Sequence, residues 1–226
     1  MKKLFLVLIL VLVSKAAFAV LPPTFTLQVN RTEPTLNQNL SSIQVFNKGT
    51  GTQILNCQQN TCSVTVKSGT AIRLVGSGQN PSLGFSNWGR TNTGTAVCVG
   101  STNYICEFTM TGDAAANAVF KRIKIVRAQL GDGNGVIRMT IDGKHIVDCA
   151  NKAPLSCSTG ALEGAKVRFE AIAANGSQFQ KFSSQTGDAA VCTGQGATFS
   201  CEFTLTNNPN TDANGSGVVG NFIPIP

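Results

Sequence analysis

Apolar and polar residues alternate along most of this chain in short runs. "SVTVKSGTAIRL" (residues 63–74) keeps a period of two on both sides of Ser68-Gly69 and predicts a hairpin. "GALEGAKVRFEA" (160–171) places Val167, Phe169 and Ala171 on one face and Lys166, Arg168 and Glu170 on the other. "CEFTMT" and "CEFTLT" send Phe108 and Met110, or Phe203 and Leu205, one way, and Glu107 or Glu202 the other. "VIRMTIDGKHIVDC" predicts a hairpin with Asp142-Gly143 at its tip, because that dipeptide supplies the positive φ angles of a type I′ turn. "PPTFTLQV" puts Phe25, Leu27 and Val29 on one face. Past the N-terminal apolar run no window carries a helical period. Gly, Thr, Asn and Ser are frequent, while charged residues make up only 13%. The expected fold is mainly β.

Much of this pattern is written twice. "AVCVGSTNYICEFTMT" (96–111) returns as "AVCTGQGATFSCEFTLT" (190–206). The eight cysteines form two sets of four at a nearly constant offset: Cys57, Cys62, Cys98 and Cys106, then Cys149, Cys157, Cys192 and Cys201. Gly69 maps to Gly164, Arg73 to Arg168, Phe85 to Phe179, Trp88 to Phe182 and Glu107 to Glu202. This is a tandem duplication. It divides the chain into a 20–40 extended segment, a repeat domain at 41–120 and a second at 121–226. No Pro- or Gly-rich linker separates the two, so they are expected to touch end to end. Phe85 and Trp88 read as core, because Phe179 and Phe182 hold the same spacing.

Each copy resembles the divergent internalin-B-type B-repeat of bacterial extracellular proteins. In copy one the resemblance rests on "GTG" (49–51), Cys57 and Cys62, "GTAIRL" (69–74), "GFSNW" (84–88), Cys98, Cys106 and "NAVF" (117–120). In copy two it rests on "GNG" (133–135), Cys149 and Cys157, "GAKVRFEA" (164–171), "GSQFQKF" (176–182), Cys192, Cys201 and "VVGNF" (218–222). Phe182 stands where the family carries Trp, and both copies are longer than the family repeat. The resemblance implies two tandem, compact, β-grasp-like sheet domains on a secreted or surface protein, serving as stalk, spacer or adhesive module. It implies no catalytic activity. Four cysteines per copy allow three pairings. The local set Cys57–Cys62, Cys98–Cys106, Cys149–Cys157 and Cys192–Cys201 is favoured, each pair stapling a short loop at a strand end, and a crossed pairing within a copy stays open.

The N-terminus sets the compartment. Lys2 and Lys3, the apolar run 4–13 and Ala17-Phe18-Ala19 have the layout of a secretory signal cleaved between Ala19 and Val20. The run is too short for a bilayer span, and no later segment is long and apolar enough. A secreted or periplasmic bacterial location follows, with surface association open. In that compartment an even cysteine count reads as disulfides, and the spacings fit no zinc pattern. The formal charge is +7, of which Lys2, Lys3 and Lys15 leave with the signal. That mild basicity, with one Trp and one Tyr, argues against nucleic acid.

No nucleophile–base pair, paired carboxylates or metal-ligand cluster is written here, so an enzyme and a cofactor are not expected. His145, the one histidine, reads as an exposed hairpin residue, and Asp132 in "GDGNG" as part of a glycine-rich hairpin turn. The candidate contact residues are Tyr104, inside the Cys98–Cys106 loop, and the basic cluster Lys121, Arg122, Lys124 and Arg127. The expected partner is a protein or glycan at a cell surface. Two further classes stay open: an assembly subunit that donates its N- or C-terminal strand, and a secreted inhibitor or effector acting through loops such as "STNYI".

Overall fold

The structure is a computed structural model describing residues 21–34, 41–78, 81–150, 156–192, 200–206 and 215–225. The expected signal and its cleavage point at Ala19 and Val20 lie outside the described residues. The first half holds β1 (Thr24–Thr32), β2 (Ser41–Asn47), β3 (Gln53–Cys57), β4 (Thr61–Lys67), β5 (Ala71–Gly78), β6 (Leu83–Gly89), β7 (Thr95–Ala96) and β8 (Ile105–Thr109). The long β9 (Ala114–Leu130) follows. The second half holds β10 (Gly135–Ile141), β11 (Lys144–Ala150), β12 (Ser156–Leu162), β13 (Lys166–Ala173) and β14 (Ser177–Thr186). A 3-10 turn (Gly187–Cys192), β15 (Ser200–Thr204) and β16 (Ser216–Pro224) close it. The chain is mostly strand, as the alternation requires.

Strand pairing repeats as the sequence does. β2 lies between β3 and β5, and β5 pairs with β8. In the same pattern β10 lies between β11 and β13, and β13 pairs with β15. These are two four-stranded sheets. All remaining strands form one eight-stranded sheet around β9. β1 runs antiparallel to β4 and parallel to residues 114–119 of β9. The equivalent second set is the end of β9, antiparallel to β12 and parallel to β16. β6 pairs with β9, and β14 with β16, in equivalent places. β9 is thus the last strand of one repeat and the first of the next, in 17 unbroken residues. The boundary expected at residue 120 falls inside it.

Two sequence expectations are corrected by this topology. The 63–74 segment is not a hairpin: β4 pairs with β1, while β5 pairs with β2 and β8 in the facing sheet. Gly69, at φ 80°, turns the chain across the core, with its N–H donated to the Met110 carbonyl (2.8 Å). Alternation looks the same whether the next strand lies beside or opposite. "GDGNG" likewise carries the chain from β9 to β10, which share no ladder. The Asp142-Gly143 hairpin does form, with φ of 49° and 75°.

Each half has its own core between its four-stranded sheet and its part of the long sheet. Leu27, Val29, Ile43, Ile72, Leu74, Trp88 and Phe120 fill the first; Val126, Ile137, Met139, Phe169, Phe179 and Phe222 fill the second. Even-numbered residues of β9 face both: Ala114, Ala116, Ala118 and Phe120, then Val126, Ala128 and Leu130. The aromatic clusters correspond. Phe85 meets Trp88 and Phe120 at 5.3 and 5.8 Å between ring centroids, and Phe179 meets Phe182 and Phe222 at 4.8 and 5.4 Å. Small partners make room: Trp88 lies opposite Ala118, and Phe182 opposite Gly220. The structure pairs Cys57–Cys62, Cys98–Cys106, Cys149–Cys157 and Cys192–Cys201, with Cα separations of 5.8, 6.0, 5.8 and 5.7 Å.

Gly135 explains part of the glycine-rich crossover. A Cβ there would sit 2.4 Å from the Phe222 ring, itself buried and unable to move freely. Gly135→Ala is expected to lower the unfolding free energy by about 1–3 kcal/mol. Urea denaturation of the oxidised protein checks this.

Candidate functional site

The two layers of the fold carry different charges. No strand of the eight-stranded sheet contains Asp or Glu. Its basic residues are Arg31 on β1, Lys67 on β4, Lys121, Arg122, Lys124 and Arg127 on β9, and Lys181 on β14. The strand carboxylates, Glu107, Asp148, Glu170 and Glu202, all lie on the four-stranded sheets. There they meet cations. Glu107 accepts from Lys48 (2.5 Å) and Arg73 (2.7 Å), and Asp148 from Arg138 (3.0 Å) and His145 (2.9 Å). Arg168 and Glu202 face each other in register.

Two troughs lie on the outer face of the long sheet, at equivalent places in the repeats. The first encloses about 410 Å³ and is lined by Gln28, Asn30, Thr61, Arg90, Thr93 and Asn117, among others. The second encloses about 500 Å³ and is lined by Arg127, Gln129, Ser156, Ser158, Thr186 and Val219, among others. The register fixes the equivalence. Asn30 pairs with Thr61 and Gln28 with Ser63, as Gln129 pairs with Ser156 and Arg127 with Ser158. In the first trough the polar groups hold one another: Thr61 Oγ1 donates to Asn30 Oδ1 (3.0 Å), Gln28 Nε2 to Asn30 Oδ1 (3.1 Å), and Thr93 Oγ1 to Gln28 Oε1 (3.0 Å). Arg31 and Glu33 also line it and form an ion pair at 3.3 Å, with side chains only 3% and 5% exposed. The Arg90 and Arg127 guanidiniums have no partner among the described residues.

The basic cluster read from the sequence is divided by the pleat. Lys121 and Arg127 have outward parity, and Arg127 lines the second trough. Arg122 and Lys124 have the parity of the core residues and lie between the two cores, with interactions of their own. Tyr104 is 53% exposed, but it continues β8 in the opposite layer, its carbonyl accepting from the Gly76 N–H (2.9 Å). It is therefore not part of the same face as Arg127. His145 is exposed and bonded to Asp148.

Sequence reasoning missed both the troughs and a third feature. The outer face of the first four-stranded sheet has a groove of about 270 Å³ lined by Phe46, Val75 and Ile105 beside Lys48 and Arg73. At the equivalent register positions the second repeat carries Thr140, Glu170 and Ser200. The copies have diverged there in side chain while keeping the backbone.

No curated protein sequence matches the chain. Among solved structures, it is similar to a streptococcal ancillary pilin (10% identity, TM-score 0.33, covering 89% of this chain and 63% of that one). It is also similar to the Bacillus anthracis TIE protein (10%, 0.29, 88% and 33%). A third is the C-terminal fragment of the pilus adhesin SpaC from Lactobacillus rhamnosus GG (8%, 0.33, 90% and 98%). The chain spans less than two thirds of the first two.

Two expected outcomes belong to the stapled loop and the ion cluster. Buried Trp88 ties down the 98–106 loop: its indole N–H donates to the Asn103 carbonyl (2.9 Å) and its backbone N–H to the Ser101 carbonyl (2.9 Å). Trp88→Phe is expected to cost about 1–3 kcal/mol through the lost bond and the void, and to speed hydrogen exchange across residues 98–106. Unchanged exchange there would remove the pinning role. The Lys48 hydrogen bond, then that of Arg73, holds the Glu107 carboxyl below its ordinary range. Its contribution to stability is present above the unfolded carboxylate pKa, near 4.3, and is lost as pH falls through the lower folded value. Denaturation midpoints of wild type and Glu107→Gln should therefore differ at pH 7 and converge only once the pH has fallen through the folded value, below the ordinary carboxylate range.

The family match is narrower than the repeat: residues 151–214, in the second half, match the model of the divergent InlB B-repeat domain.

Proposed function

We propose that this is an exported, non-enzymatic protein of two disulfide-stapled repeat modules that acts by binding at a cell surface, as an adhesive module or spacer. The modules are residues 41–120 and 121–226, with the 20–40 segment supplying β1 to the first. The observation that carries this reading is the pair of equivalent troughs, presented on one face of a sheet that a single strand makes continuous. Repetition of a site along a rigid element suits attachment to a repetitive or multivalent surface. The reactive side chains have structural employment. The cysteines are paired, His145 is bonded to Asp148, and the strand carboxylates sit apart on two small sheets. No helix among the described residues is long and apolar enough to cross a membrane. The signal-like N-terminus and the disulfides support a secreted or periplasmic location.

β1 is hydrogen-bonded on both sides, by β4 and β9, and β16 by β9 and β14. That favours binding through faces over donation of either strand to a neighbour, and over the loop-led inhibitor reading.

The test is sedimentation of the purified oxidised chain with bacterial envelopes and with host cells. Saturable co-sedimentation, competed by unlabelled protein, is the expected result. Recovery of all the protein in the supernatant from both would overturn the reading.

A further inference from the structure

We propose that the outer face of the eight-stranded sheet is a bivalent site for an extended acidic polysaccharide, lying along β9 from one trough to the other. This rests on the surface-binding reading above and names its ligand. The argument starts from charge. A two-layer domain with mixed charges on both faces would be indifferent to polyanions. Here every strand carboxylate lies in the opposite layer, and the long sheet presents Lys67, Lys121, Arg127 and Lys181 with no strand acid beside them. A face of one sign attracts a ligand of the other, and attraction to a polymer grows with the number of sites engaged.

The lining chemistry then selects among polyanions. Each trough offers side-chain amides and hydroxyls around one arginine without a protein partner among the described residues: Gln28, Asn30 and Thr61 with Arg90, and Gln129, Ser156 and Ser158 with Arg127; Arg31 and Glu33, also in the first lining, neutralise each other as a buried ion pair. Amides and hydroxyls both donate and accept, which matches the hydroxyls of sugar rings. The unpaired guanidinium matches a carboxylate or sulfate with two parallel N–H bonds. No aromatic residue lines either trough, so a nucleic acid would find charge but nothing to stack on. In the first trough the mutual hydrogen bonds fix the polar groups in advance, which lowers the ordering cost of binding.

Geometry supplies the bivalency. Asn117 lines the first trough and Arg127 the second, on the same strand and the same face. Ten residues at about 3.3 Å each place the two sites about 33 Å apart. A polymer that spans this distance engages both; a disaccharide engages one.

Biolayer interferometry on immobilised alginate, with neutral dextran as reference, tests the site. The wild-type chain is expected to bind alginate and not dextran, with affinity falling as salt rises. Arg90→Ala or Arg127→Ala should weaken binding about tenfold, and the double variant about a hundredfold or more. Lys144→Ala, an equal loss of charge in the opposite layer, should leave binding unchanged. All four variants are checked for an unaltered thermal midpoint. Uronate disaccharide should compete far less well than an equal mass of polymer. Equal binding to dextran, an unaffected double variant, or a disaccharide that competes as well as polymer would each overturn the proposal. Arginine-independent sedimentation with envelopes, alongside no binding to alginate, would overturn it while leaving surface binding intact.

Discussion

One hydrogen-bonded strand organises the rest of the molecule. β9 gives its first half to β1 and β6 and its second half to β12 and β16, with no change of parity between them. Each backbone group buried under a sheet needs a partner, and β9 meets that demand for both repeats at once. Its even-numbered side chains therefore enter two cores in succession. The two halves cannot slide relative to each other without breaking a ladder in one of them. A one-residue slip would turn Ala118 and Val126 outward and Lys121 inward. The duplication has become a single object because its joint is a strand rather than a loop.

That joint also explains the layering of charge. The long sheet is shared, so its outer face runs past both repeats, whereas each small sheet belongs to one. Among the described residues the exposed ion pairs lie on the small sheets, Lys48, Arg73 and Glu107 in the first half and Arg138, His145 and Asp148 in the second, while the Arg31–Glu33 pair at the end of β1 is buried. Exposed pairs of this kind contribute little to stability. Their effect on the surface is larger, because they consume the carboxylates away from the shared face. The divergent groove at Phe46, Val75 and Ile105 lies on this private layer.

The sequence made the strands legible and left their partners hidden. Alternation identifies a half-buried strand whatever lies beside it. It located β4, β5, β13 and the Asp142-Gly143 hairpin, where the turn chemistry is local. It failed at Ser68-Gly69 and at "GDGNG", where the chain crosses between layers and the determining contacts, to Met110 and Phe222, are distant. The same limit governed the site. Arg127 was visible as one member of a basic run, but linear proximity grouped it with Arg122 and Lys124, which the pleat directs elsewhere. Arg90, Gln28 and Asn30 carried no signal at all, because each becomes part of a trough only once β1 lies beside β9.

The course of the terminal strands has a mechanical meaning. β1 enters beside the start of β9 and β16 leaves beyond its end, both parallel to it. Tension between the two ends of the folded chain would draw β1 and β16 in opposite directions along their common neighbour. The bonds between parallel strands are then loaded together in shear rather than opened one by one. Each disulfide closes a loop of only a few residues, so almost no slack is locked away behind it. A polymer held on the outer face of β9 would hang from the strand to which both terminal strands are bonded.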